Sequence, residues 1–333
     1  MILQLQDLEV QYRSPRGVVR AVDGANLDVP EGQIVGLVGE SGCGKTTLAR
    51  AVTGIMPGNA KVVGGRIVFD GRDLRELSAR QMRSLRWREI AFVPQSAMNS
   101  LDPVYRVGSQ LMEVLIERGG FSRRRARLRA VELFDLVGLD TKRLDAFPHQ
   151  FSGGMRQRAA IALTLALEPK LIIADEPVTA LDVVVQRQVL DTLRSLQQRL
   201  GLSVVLVTHD ISVVAYLCDQ VAVMYAGRVI ESGPTPAVLR EPSHPYTMGL
   251  YNAFPDLERA KRVLTPIEGS PPDLHAPPAG CRFEPRCPFA LDACADDPPS
   301  TQVAEHHTAS CWRTAEAVAL RERAAEVGTW QRS

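Results

Sequence analysis

The stretch Gly39-Glu40-Ser41-Gly42-Cys43-Gly44-Lys45-Thr46 limits what this chain can fold into more than any other. An apolar run of strand length, Ile34-Val35-Gly36-Leu37-Val38, precedes it, and a helix reading from Thr47 to Val52 stops near Gly54. A glycine-rich loop in that context matches the pattern G-x-x-x-x-G-K-[ST], in which successive backbone N–H groups and a helix N-terminus form a nest for polyphosphate. Side chains at Gly39, Gly42 and Gly44 would crowd that nest. Lys45 is expected to reach the β- and γ-phosphates and Thr46 to ligate Mg²⁺, while Ser41, Cys43 and Thr47 complete the nucleotide-contacting loop.

With 333 residues the chain can fill one large domain or two ordinary ones. A formal net charge of +1 gives no reason to expect nucleic acid as a partner. The one local excess, Arg123, Arg124, Arg125, Arg127 and Arg129, reads as a solvated helix face. Met1-Ile2-Leu3-Gln4-Leu5-Gln6-Asp7 lacks the pattern of a signal peptide, and no apolar run of about 18 residues occurs, so the expected location is the cytosol.

Residues 2–10, 18–29 and 62–70 read as strands of a small antiparallel sheet beside the phosphate-binding core. Tyr12, at the end of the first, is either a rim packing residue or a platform for adenine. Residues 73–88 and 104–138 are helical in pattern, and between them Phe92-Val93-Pro94 ends a short strand at Gln95, followed by irregular chain from Ser96 to Pro103. Ser152 is a natural N-cap for a helix running to about Leu167, and Gly153 and Gly154 leave its first-turn N–H groups open to an anion. A buried strand, Leu171-Ile172-Ile173-Ala174, ends in Asp175 and Glu176, which fit a magnesium ligand and a water-polarising carboxylate. Thr179-Ala180-Leu181-Asp182 leads into an amphipathic helix ending near Leu200, and the strand Ser203 to Thr208 delivers His209, a candidate γ-phosphate sensor. Val221 to Tyr225 and Arg228 to Glu231 read as a hairpin turning at Ala226-Gly227. Beyond it, residues 231–300 hold 14 of the 22 prolines and read as a loop-rich appendage.

Tyr12, the phosphate loop, Gln95, Ser152-Gly153-Gly154, Asp175-Glu176, Asp182 and His209 stand in the order found in the ATP-binding-cassette ATPases, which the chain resembles from about residue 2 to 315. Asn99-Ser100-Leu101-Asp102-Pro103, Phe147-Pro148-His149-Gln150-Phe151, His244-Pro245-Tyr246-Thr247, Gly269-Ser270-Pro271-Pro272 and the C-terminal cysteines resemble the oligopeptide/dipeptide importer subfamily. Phe151 and Met155 replace the leucine and glutamine usual in the wider superfamily. The resemblance implies an α/β fold: a P-loop (RecA-like) core, a small antiparallel β subdomain, an α-helical subdomain at about residues 96–165 and a proline/cysteine-rich C-terminal extension. It places the ATPase domain at residues 1–250 and the extension at 251–333. It implies an ATPase using ATP and Mg²⁺, the metal held by Thr46, Gln95 and Asp175, with Glu176, His209 and Gln95 serving hydrolysis. Tyr12, the phosphate loop, Ser152, Gly153, Gly154 and Asp182 would contact nucleotide. Implied partners are a second cassette, identical or homologous, two transmembrane permease subunits and, through them, an extracytoplasmic solute-binding protein; the chain would lie peripherally on the cytoplasmic face of the inner membrane. Rival readings are a soluble cassette ATPase of translation or repair, and a non-hydrolysing regulatory module; within transport, nickel or sugar uptake competes with peptides.

Cys281, Cys287, Cys294 and Cys311 lie within 31 residues of the extension. A reducing compartment argues against disulfides there, and a segment with little apolar surface to bury is suited to a metal staple. Intervening spacings of five, six and sixteen residues differ from the close pairs of zinc sites and suit the four separate approaches of a [4Fe–4S] cluster, as in some resembling ATPases. Cluster, zinc and free thiols all remain as readings.

Overall fold

Alternating apolar and polar side chains near the N-terminus build two long strands, Leu3–Ser14 and Gly17–Val29, with Leu3, Leu5, Val10, Ala25 and Leu27 buried and Gln6, Asn26 and Asp28 exposed. The structure, a computed structural model, describes residues 1–95, 100–179, 181–252, 266–326 and 328–330. Residues 96–99 and Ala180, which the sequence assigned to loops, lie outside the described residues. The chain divides into two units: one holds Met1–Ile2, Val29–Ile34 and Asp73–Val207, the other Leu3–Asp28, Val35–Arg72 and Thr208–Ser333.

In the unit that carries the phosphate loop, Leu3–Ser14 pairs antiparallel with Ala60–Phe69, from Leu3 opposite Phe69 to Tyr12 opposite Ala60, and Gly17–Val29 flanks it. The small antiparallel sheet is therefore present, but its first strand is longer than the alternation predicts. Tyr12 sits inside that strand, not at its end. A second sheet has Ile34–Val38 parallel to Gln220–Tyr225, which turns back antiparallel into Arg228–Pro234. The turn is Ala226-Gly227, with φ of 45° and 88°; two positive values give the turn whose twist matches a tight hairpin.

Residues 231–300, read as loop-rich, include the helices Thr235–Arg240 and Pro245–Asn252, and regular elements follow beyond them too. Ser300–Ala304 and His307–Ser310 form a hairpin whose second strand extends the sheet beside Arg228–Pro234, and Ala317–Ala324 is helical. These strands have four or five residues with partly exposed faces, so their hydrophobic alternation is too weak to read. A buried carboxylate ties them in. Glu231, 1% exposed, accepts hydrogen bonds from the backbone N–H of Ser243 (2.6 Å) and His244 (3.0 Å) and from His307 Nε2 (2.8 Å).

In the other unit Ile90–Val93, Leu171–Asp175 and Ser203–Thr208 run parallel, with Ile90 opposite Leu171 and Asp175 opposite Val207. Every residue of Leu171–Asp175 is buried, which is why that strand reads as an unbroken apolar run. The helices Val107–Glu117, Arg123–Leu136 and Gly153–Thr164 pack on one another. The last ends three residues earlier than the sequence predicts; the chain turns through Glu168 (φ 56°) before Pro169, which cannot continue a helix. Phe151 meets Phe134 edge to face at 6.5 Å, a ring contact that a leucine in its place could not make. The arginine-rich helix is a solvated face with local pairs: Arg127 bonds both oxygens of Asp145, and Arg129 reaches Glu132 and Glu168 at 2.9 Å.

Removing the Glu231 carboxylate leaves two backbone donors and a histidine buried without their acceptor. Glu231→Ala is expected to cost about 3 kcal/mol of stability, read as a shift in the urea unfolding midpoint at pH 7.

Candidate nucleotide site

The phosphate loop is shaped by how closely it lies against its own unit. A Cβ at Gly39 would stand 2.0 Å from the Met224 carbonyl oxygen, and one at Gly44 2.1 Å from that of Ala21. Gly42 has no neighbour within 4 Å; its φ of 81° is what requires glycine. The crowding read from the sequence is thus, at Gly39 and Gly44, crowding against the protein's own backbone. Lys45, 6% exposed, donates from Nζ to the carbonyls of Gly39 (2.7 Å) and Glu40 (2.9 Å). Cys43 is buried, burial raises its thiol pKa, and its N–H donates to the Glu40 carbonyl at 3.3 Å. Gly44 caps the helix Lys45–Thr53, which begins two residues before the Thr47 that the sequence predicts. Thr47 Oγ1 lies 3.1 Å from the Tyr12 hydroxyl, which fixes the ring beside the loop. Ser41 is exposed. One contact was not legible in the sequence: the Glu40 backbone N–H donates to the Tyr246 hydroxyl at 3.0 Å. His209 follows the strand Ser203–Thr208 and is exposed, one residue before Asp210, which caps the next helix.

In the other unit, Asp175 is 1% exposed at the end of its strand, and Glu176 follows at a φ of 48°. That backbone conformation is uncommon for a glutamate and marks a specialised position. Gln95 Nε2 donates to Glu176 Oε2 at 2.8 Å, and Thr179 Oγ1 donates to the same oxygen at 3.1 Å. The sequence had singled out Gln95 and Glu176 separately; the fold joins them. Thr179 carries no signal beyond its place three residues after the glutamate.

The caps read from the sequence are present. Ser152 Oγ accepts from the Met155 N–H at 3.3 Å, and Asp182 Oδ1 accepts from that of Val185 at 3.0 Å. Both side chains are exposed. Gly154 has a packing reason as well: a Cβ there would lie 2.2 Å from Val185 Cγ1.

The chain matches the ABC transporter family over residues 22–179 and the oligopeptide/dipeptide transporter C-terminal region over residues 230–294. It is 43% identical over 315 residues to the dipeptide transport ATP-binding protein DppD of Bacillus subtilis, covering 93% of this chain and 94% of that one. It is 42% identical over 318 residues to the oligopeptide transport ATP-binding protein OppD of Salmonella typhimurium, covering 95% of each. The chain belongs to the ABC transporter ATPases. The dimeric, ADP- and phosphate-bound ATP-binding cassette MJ0796 shares its fold at a TM-score of 0.63 and 28% identity, over 70% of this chain and 98% of that one. Among the described residues no helix is long and apolar enough to cross a membrane.

This ABC ATPase carries its four C-terminal cysteines around one cavity of about 10 Å³, shared with Phe283 and Phe289. None of the six cysteines is in a disulfide. Burial raises the pKa of Cys281, of Cys287 to about 12 and of Cys311 to about 11. Among the described residues, no three histidine, cysteine, aspartate or glutamate side chains are grouped to hold a metal ion.

The two kinds of glycine constraint predict a rank order. Gly44→Ala, which meets the Ala21 carbonyl at a φ of 105°, should cost about 1–3 kcal/mol of stability and weaken MgATP binding at least about tenfold. Gly42→Ala, strained in φ alone, should cost about 1 kcal/mol. Melting temperature and equilibrium nucleotide titration check both.

Proposed function

We propose that this ATPase drives an importer of peptides or a related small solute, working with two transmembrane permease subunits, a second cassette and an extracytoplasmic solute-binding protein. It would sit peripherally on the cytoplasmic face of the cell membrane. The carrying observation is that the peptide-transport relatives match through both the cassette and the C-terminal extension, over nine-tenths or more of each chain. In this reading residues 1–250 form the ATPase domain, with a helical subdomain at about 96–165, and 251–333 form the extension.

ATP is held by the phosphate-loop N–H groups and Lys45, with Tyr12 beneath adenine, and is closed over by Ser152, Gly153 and Gly154 of a second cassette, with Asp182 also contacting nucleotide. Oxygen donors at Thr46, Gln95 and Asp175 suit Mg²⁺, a hard cation, which when bound neutralises phosphate charge. Two donors on Glu176 Oε2 orient that carboxylate. Water attacks the γ-phosphorus, the bond to the β-phosphate bridging oxygen breaks, ADP leaves, and the proton of the attacking water passes to Glu176. His209 holds the γ-phosphate. Glu176→Gln keeps the shape and the Gln95 contact region but removes the base. It should retain ATP binding and lower turnover by at least about two orders of magnitude in the assembled transporter; near-normal hydrolysis would remove Glu176 from this role.

We infer further that Cys281, Cys287, Cys294 and Cys311 hold a [4Fe–4S] cluster with a structural or redox-sensing role. Four cysteines lining one cavity, at spacings unlike the close pairs of zinc sites, support the cluster over zinc. Anaerobically purified protein should be brown and contain about four irons per chain, lost on replacing any two of the cysteines by serine. A colourless preparation with four titratable thiols would refute it.

A further inference from the structure

The second residue of the phosphate loop, Glu40, places a carboxylate beside a nest built for phosphate. A negative charge there opposes an incoming triphosphate unless it is paired. Its partner comes from the far end of the sequence. Arg286 Nη1 donates to Glu40 Oε2 at 2.9 Å and Nη2 to Oε1 at 3.1 Å, a two-pronged pair with the arginine side chain 4% exposed and the glutamate 25% exposed. The guanidinium is itself held in place. Its Nε donates to the Glu268 carbonyl (3.1 Å), Nη2 to that of Ile267 (3.2 Å) and Nη1 to the Tyr225 hydroxyl (3.3 Å). Glu40 is fixed at two further points, its N–H on Tyr246 and its carbonyl on the Lys45 ammonium. Movement of Glu40 therefore moves the lysine that faces phosphate.

We propose that Arg286 is a positioning residue for nucleotide binding: it neutralises and anchors Glu40, so the cysteine-bearing segment sets the electrostatics of the phosphate loop. Arg286 lies in the short turn Glu284–Arg286 between Cys281 and Cys287, both of which line the four-cysteine cavity. Arg282 braces the same loop from behind. Its guanidinium bonds the Ala226 carbonyl and the Asp23 carboxylate, and the neighbouring Gly227 N–H donates to the Cys43 carbonyl at 2.8 Å. A change in the cysteine segment thus has a direct route to the phosphate loop. The inference rests on nucleotide binding by this loop and is independent of what the cysteines hold.

A thermodynamic square of MgATP dissociation constants, measured on the full chain with a fluorescent nucleotide, tests it. Arg286→Met leaves Glu40 charged and unpaired, and should raise Kd about tenfold. Glu40→Gln leaves Arg286 cationic beside the loop, and should lower Kd about threefold, with the gain shrinking as salt rises. Arg286→Met combined with Glu40→Gln should return Kd to within about threefold of the parent. An arginine that served stability alone would lower the melting temperature of Arg286→Met and leave the Kd of the folded variants unchanged. An unchanged Kd in Arg286→Met, or a double variant as weak as that single one, overturns the proposal. Should Arg286→Met fail to fold, Glu40→Gln decides alone, and a Kd unchanged or raised refutes it. A parent chain that binds no MgATP would instead refute the nucleotide reading itself.

Discussion

A lysine ammonium buried to 6% exposure needs acceptors, and at Lys45 the loop itself supplies them through the carbonyls of Gly39 and Glu40. That closure fixes the conformation of the nest. The carbonyls can reach inward only because the loop packs against Met224 and Ala21 without side chains at Gly39 and Gly44. The loop, its lysine and the strand ends behind it are therefore one interlocked arrangement.

The C-terminal extension belongs to the same structural unit as this loop, and polar links of high sequence separation bind the two. Glu231 gathers donors from residues 243, 244 and 307, while Tyr246 accepts from Glu40. Between these lies an aromatic cluster in which Tyr225, Tyr246 and Phe283 meet with ring centroids 4.6–5.4 Å apart. Such tilted and edge-to-face contacts add to area burial and fix relative orientation. They fix Phe283, from the proline-rich segment, against Tyr225 and Tyr246. His244, wholly buried, is kept neutral by that burial, its pKa falling to about 3, and its Nδ1 accepts the Tyr246 N–H.

In the other unit the chemistry is organised by strand and helix ends. Glu176 stands just past a fully buried strand in a left-handed conformation, and its carboxylate is oriented by a glutamine from the end of a neighbouring parallel strand and a threonine from the following turn. Ser152 and Asp182 each cap a helix, and both remain exposed. A capping residue is well placed for a second task, since its backbone is fixed by the helix and the first-turn N–H groups beside it point outward.

The motifs to which the chemistry is assigned were legible from the sequence because they obey local rules. A strand, a glycine-rich turn and a helix define the phosphate loop within some twenty residues, and helix caps and strand-end acids need only their immediate neighbours. Elements with strong periodicity, such as Leu171–Asp175 and Val183–Leu200, read correctly for the same reason. What escaped was set by distant partners. The short hairpin of the extension joins a sheet through the pairing of His307–Ser310 with Arg228–Pro234, and the Gln95–Glu176 bond spans 81 residues. Arg286 and Glu40 are 246 residues apart, and nothing near either one announces the other. Local propensity and spacing determined which side chains this protein has for binding phosphate; only tertiary packing decided which charges those side chains face, because a buried ion pair is chosen by the walls around it.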